Sequence, residues 1–196
     1  MTKGRVEAFS DGVVAILITI MVLELKVPEH AGWEALRPLA PVFWSYVLSF
    51  VFLGIYWNNH HHMFHLVTHV TGSMLWANLH LLFWLSLIPF VTAWLPHGGS
   101  LAAALYGLVL LLAAIAWTIL QSVIIRSQGP QSRLRAAVGD DRKGKVSAAL
   151  CAVAIPLAFP DRWISFVLYA IVALMWLVPD RRFESAAEHA KSHGMH

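Results

Sequence analysis

Four stretches of this chain, residues 8–27, 39–59, 73–95 and 101–125, stay apolar over the length of a bilayer crossing. A helix rises about 1.5 Å per residue, so ~20 apolar residues cover ~30 Å of hydrocarbon. Inside hydrocarbon no water is present to satisfy backbone N–H and C=O groups, so each run is expected to be a helix. Two shorter runs, 146–160 and 162–179, bring the set to six, with Pro156 and Pro160 near their boundaries. An alternative for 146–179 is a single re-entrant hairpin. Pro28, Pro38, the Pro96–His97–Gly98–Gly99 stretch and Gly129–Pro130 fall between the runs, as turn residues should. Composition agrees with an all-α membrane protein: 58% of the 196 residues are hydrophobic and 13% are charged. The first run is too long for a cleavable signal and no small-residue cleavage site follows it. The single cysteine, Cys151, sits in an apolar run, which excludes a disulfide framework and a Cys-based metal site.

A net charge of +3 would suggest a nucleic-acid partner only if the cations clustered on a soluble face. Instead they fall in the loops. With six spans, Lys3, Arg5, Arg126, Arg133, Arg135, Arg142, Lys143, Lys145, Arg181, Arg182 and Lys191 lie on one side, and Lys26, Arg37 and Arg162 on the other. That is 11 against 3 of the 14 Lys and Arg, and cytoplasmic loops carry the excess. The expectation is one six-span domain over 1–180 with both termini cytoplasmic and a cytoplasmic tail at 181–196. It would be multi-pass in the plasma (inner) membrane, with the bilayer and not nucleic acid as its surroundings.

The first run has two faces. At about 100° per residue, Gly12, Ile16, Thr19, Ile20, Leu23 and Val27 follow one another along one side. Arg5, Phe9 and the Ser10–Asp11 pair begin the helix, where an acid and a hydroxyl can cap free N–H groups. Asp11 nevertheless lies about a turn past Arg5, deep enough that an unpaired carboxylate is costly, and intramembrane ionisable groups usually pair or line a water path. Glu24 and Lys26 at the far end read as interfacial.

The Arg5, Phe9–Ser10–Asp11 opening, the run through Thr19 and the closing "VLELKVP" resemble the signature of the transmembrane protein 175 family, the bacterial and archaeal relatives of the lysosomal potassium channel. "WNNHHHMF" is similar to that family's second-span pattern at Trp57, His60 and Phe64, and "WANL" followed by "LIPF" resembles its third span at Asn78 and Pro89. The resemblance covers residues 1 to about 95; beyond that only length and hydropathy agree. It implies a homotetramer of six-span subunits in which the first helix of each lines a central potassium pore. Carried over by position, Ile16 forms an apolar constriction, Ile20 and Leu23 form further apolar layers, and Thr19 adds a hydroxyl. Arg5, Phe9, Ser10 and Asp11 would face their own subunit and be anchored through Trp57, His60 and Asn78. The partners implied are permeant potassium ions and further copies of the chain, with no cofactor, no structural metal and no enzymatic activity. The chain has no Thr-Val-Gly-Tyr-Gly filter and no ring of acids within a span, so an apolar constriction that gates by dewetting, with modest selectivity, fits the residues. Without the resemblance, the same apolar stripe reads as ordinary helix packing.

Two other classes remain. His61, His65 and His69 recur every four residues within "HHHMFHLVTH" and would share a helical face, a spacing that suits metal ligation in a membrane metalloenzyme. No second cluster supplies the other ligands, so a solvated loop or a pH-sensitive contact are the competing readings. The tail histidines His189, His193 and His196 read as solvated. A secondary transporter would show an internal repeat, but no second Phe-Ser-Asp occurs in the C-terminal half. One chain therefore offers one candidate pore helix.

Overall fold

The structure, a computed structural model, describes residues 2–28, 32–129, 132–139 and 141–177. The tail expected at 181–196, with its three cations and three histidines, lies outside them. All regular structure among the described residues is helical. Helix α1 spans Lys3–Met21 and ends in a 3-10 turn, Val22–Glu24; a second 3-10 segment, Trp33–Leu39, leads into α2, Ala40–His65. Then follow α3 (Gly72–Ser86), α4 (Ile88–Trp94), α5 (Gly99–Ser127), the short α6 (Arg133–Val138), α7 (Arg142–Leu157) and α8 (Arg162–Leu177).

Four segments are long and apolar enough to cross a membrane: Lys3–Glu24, Trp33–His65, Gly72–Trp94 and Gly99–Ser127. They coincide with the four long runs. The third is broken at Leu87, because Pro89 has no N–H to give and is tolerated only in the first turn of a new helix. The two shorter runs form two antiparallel helices of 16 residues each, about 24 Å long, shorter than the four long segments. Pro156 sits in the last turn of α7, and the Ser165 hydroxyl donates to the Ala154 carbonyl at 2.6 Å, which closes the hairpin.

The core is built around α5. Its Ala102, Ala103, Ala113 and Ala116 are fully buried, and small side chains let neighbouring backbones approach, as membrane packing requires. Gly107 is the extreme case: a Cβ there would lie 2.0 Å from the Tyr169 hydroxyl. That hydroxyl donates to the Ala103 carbonyl at 2.9 Å and ties α8 to α5. Between α2, α4 and α5, the Ser49 hydroxyl meets Thr92 at 2.6 Å and Tyr106 at 3.0 Å in a buried cluster. Helix α1 packs on α2, α3 and α4 and so lies on one side of this core. Lys3 donates to the His65 carbonyl and Thr68 to Gln128, so the start of α1, the end of α2 and the end of α5 share one end of the bundle.

Two local expectations are corrected. Helix α1 begins at Lys3, so Ser10 and Asp11 lie in its interior and not at its cap, which is Thr2. Helix α2 continues through His65, so His60, His61, His62 and His65 are helical and only His69 lies in the loop. The polar run stays helical because His60 finds a buried partner, and the fold does not need the chain to turn there.

Candidate functional site: the first helix and its anchor

Helix α1 presents two sides about 140° apart. Val6, Ser10, Val14, Leu17 and Met21 are buried against the subunit. On the other side Gly12 and Thr19 are exposed, with Ile16 at 57%, Ile20 at 46% and Leu23 at 74% exposure. Val27, beyond the 3-10 turn, is exposed as well. The stripe read from spacing is therefore the side of α1 that its own subunit leaves uncovered. Thr19 turns its hydroxyl back on the helix, donating to the carbonyls of Ala15 at 3.1 Å and Ile16 at 2.9 Å.

The buried side carries a directional chain of hydrogen bonds. The Asn78 amide on α3 donates from Nδ2 to the Ser10 hydroxyl at 2.9 Å, and Ser10 donates onward to the Val6 carbonyl at 2.9 Å. Asn78 Oδ1 must then accept, so His60 on α2 donates from Nε2 at 2.9 Å. Ser10, Asn78 and His60 are all buried, and the His60 ring stacks on Phe64 with centroids 4.4 Å apart. One amide thus joins three helices. Asp11 makes a second tie: Trp57 Nε1 donates to its Oδ1 at 2.9 Å, and the indole stacks in turn with His61. A gap of about 10 Å³ lies between these groups, lined by Ser10, Asp11, Tyr56, Trp57 and His60 among others.

The structure brings together Ser10, Asp11, Trp57, His60 and Asn78. Arg5 and Phe9 differ from the expectation that they face inward: both are exposed, on the side of Ile16. Arg5 and Asp11 are six residues, about 120° around the helix, apart, and Trp57 rather than Arg5 is the group that meets the acid. His61 and His65 are in contact, with ring centroids 4.4 Å apart. Among the described residues, however, no group of three or more His, Cys, Asp or Glu could hold a metal ion.

The profile of the family described as endosomal/lysosomal potassium channel TMEM175 matches residues 5–89, which take in α1 from Arg5 onward and all of α2 and α3. The chain is similar to a potassium channel of Chryseobacterium sp., with 52% identity over 95% of this chain and 98% of that protein. It is also similar to a potassium channel of Streptomyces collinus, with 34% identity over 89% of this chain and 91% of that one. Among solved structures it resembles the crystal structure of a lysosomal potassium-selective channel TMEM175 homolog from Chamaesiphon minutus. That likeness has a TM-score of 0.79 and 30% identity, covering 91% of this chain and 97% of the other.

Proposed function

This chain belongs to the TMEM175 potassium-channel family, and on that premise we propose that it is a potassium-conducting channel subunit with its first helix at the pore. The family is one of ion channels and not of enzymes. The observation that carries the pore assignment is the division of α1: one side is buried and tied by Ser10 and Asp11, while the other exposes Ile16, Thr19, Ile20 and Leu23. A helix held on one side and bare on the other suits a lining element. Because one chain supplies one such helix, the pore is built from copies around a closed axis, four in this reading.

Ile16 forms the constriction, with Ile20 and Leu23 as further apolar layers and Thr19 between them. Water in a narrow apolar ring is poorly hydrogen-bonded, so ions cross only when the ring is wide enough to stay wet. The barrier is then set by partial loss of the ion's hydration. Potassium is less strongly hydrated than sodium, and the preference for it is modest because no protein group replaces the lost water. The polar side of α1 does not touch the ion; Ser10, Asp11, Trp57, His60 and Asn78 hold the helix in place. The bundle end carrying Lys3, Arg126 and the start of α7 faces the cytoplasm, with α7 and α8 completing six crossings of the plasma (inner) membrane.

Flux from liposomes under potassium, sodium and proton gradients tests the reading. Passive potassium flux down either gradient direction is expected, larger than sodium flux. Ile16→Asn adds hydrogen-bonding groups to the ring, so total conductance should rise and potassium preference should fall. Ile18→Asn, on a partly buried side of α1, should act on packing and leave permeation alone. Wild-type conductance and selectivity in Ile16→Asn would move the constriction elsewhere, with Leu23 the next position to test.

A further inference from the structure

Asn58 on α2 and His80 on α3 are polar and exposed, yet both lie well inside membrane-crossing segments. Trp84 Nε1 donates to His80 Nε2 at 2.9 Å; an indole can only donate, so Nε2 accepts and the ring hydrogen sits on Nδ1. Among the described residues, none accepts from that Nδ1–H and none hydrogen-bonds the Asn58 side chain. The two side chains stand at one depth. The His60–Asn78 bond sets α2 and α3 level at those residues, and as consecutive crossings the helices run in opposite directions. Asn58 precedes His60 by two residues and His80 follows Asn78 by two, so each lies about 3 Å further from the shared end of the bundle. That end is about 10–12 Å away along either helix, which puts both groups in hydrocarbon. Two residues also turn a helix by about 200°, so each side chain points away from the bond that joins α2 to α3. A donor and an acceptor therefore face outward, level with one another, where an unpaired polar group is costly and intramembrane groups pair.

We propose that His80 of one copy donates from Nδ1 to the Asn58 side-chain oxygen of the next, so that the outer face of α3 packs on the outer face of a neighbour's α2. The inference deepens the reading of α1 as a pore helix and rests on it. Helix α1 packs on both α2 and α3, so with its bare side at the axis these two helices stand at its flanks. Copies related by a closed rotation meet flank to flank, through two different faces joined head to tail. Rotation about an axis along the membrane normal leaves depth unchanged, so groups level in one subunit are level across the interface. A two-fold contact of like faces would instead set His80 against His80, two donors with no acceptor between them. The α3 face around His80 is apolar, with Trp76 and Phe83 exposed, and rings of that size bury a large area against a neighbouring helix. The polar pair then fixes which faces meet and at what height.

The test is disulfide trapping in membranes from cells that co-express two full-length chains of different tag size. One carries Asn58→Cys and the other His80→Cys, both with Cys151→Ala. Copper phenanthroline should join the unlike chains into a heterodimer, and neither chain expressed alone should cross-link. The bond itself is read from dissociation of the purified oligomer in detergent. An interhelical hydrogen bond in a membrane contributes about 2.8-fold, so with four of them His80→Leu should raise the dissociation constant of the tetramer about 60-fold. Asn58→Ala should do about as much, and the double variant should be no worse than either single one. Absence of the heterodimer while amine cross-linking still shows oligomers would overturn the proposed faces, as would dimers of the His80→Cys chain alone. Losses that multiply in the double variant would overturn the bond. If the cysteine variants do not assemble, the Leu and Ala variants decide alone. Potassium flux from the same membranes separates the two readings: flux without the heterodimer refutes these faces and leaves the channel, and the heterodimer without flux does the reverse. A chain that forms no oligomer refutes both.

Discussion

Asn78 joins α1, α2 and α3 through its two hydrogen bonds, and removing it should reveal how much of the hold on α1 is cooperative. Ser10→Ala deletes the acceptor at 2.9 Å and leaves one amide hydrogen of buried Asn78 without a partner. A side-chain hydrogen bond between membrane helices is worth about 0.6 kcal/mol on average, and a stranded buried donor costs about 1–3 kcal/mol. The expected loss is about 2 kcal/mol. Asn78→Leu, similar in volume, deletes both bonds and strands the buried His60 N–H, for an expected loss of about 3 kcal/mol. In the double variant, Ser10→Ala removes only the hydroxyl's bond to its own helix at Val6, which contributes little. The pair should therefore cost about 3 kcal/mol and not the sum of about 5, a coupling of about 2 kcal/mol. Reversible unfolding in detergent, run as a double-mutant cycle, measures it. Surviving channels should keep the wild-type ratio of potassium to sodium flux, since none of these residues lies on the exposed side of α1. Losses that add to within about 0.5 kcal/mol would mean that Ser10 and Asn78 act separately and that no continuous anchor exists.

Three further outcomes are expected. Gly107→Ala should destabilise by about 1–3 kcal/mol, because its Cβ would meet the Tyr169 hydroxyl at 2.0 Å; adding Tyr169→Phe should return part of the loss, and an unchanged melting temperature in Gly107→Ala would show that α8 moves away freely. Asp11→Ala should lower assembly or thermal stability, by about 1 kcal/mol for the lost Trp57 bond, more than it alters ion preference; normal assembly with sharply changed selectivity would put the acid on the ion path. Replacing His61, His65 and His69 together by Gln should leave potassium flux largely intact, and stoichiometric metal in the wild-type protein, lost in the variant along with flux, would contradict this.

What could be read from the sequence was what depends on local period and length. The exposed stripe of α1 follows from 3.6 residues per turn, and the four long crossings follow from the thickness of hydrocarbon. The contacts of Ser10 with Asn78 and of Asp11 with Trp57 join residues 68 and 46 positions apart, and only the family motif brought them together. Where the motif was silent, so was the sequence. Nothing local marks Gly107 as the seat of Tyr169, or Ser49 as the partner of Thr92 and Tyr106, because each bond depends on which distant helix packs there. The histidine run shows the opposite difficulty. Its polarity suggested a loop, yet one buried partner at Asn78 and a ring stack on Phe64 suffice to keep it helical.

If α1 lines the pore as proposed, the Thr19 hydroxyl bears on the sign of the permeant charge. Its hydrogen is spent on the carbonyls of Ala15 and Ile16, so what it can turn toward the open side of α1 is oxygen lone pairs alone. A ring of such groups offers acceptors and no donors. A passing cation finds partial negative charge there without any carboxylate, while an anion finds none unless the hydroxyl first breaks its bond to the backbone. On the proposed pore, discrimination by sign is thus built from neutral atoms just past the Ile16 ring, separately from the discrimination by size and hydration within it.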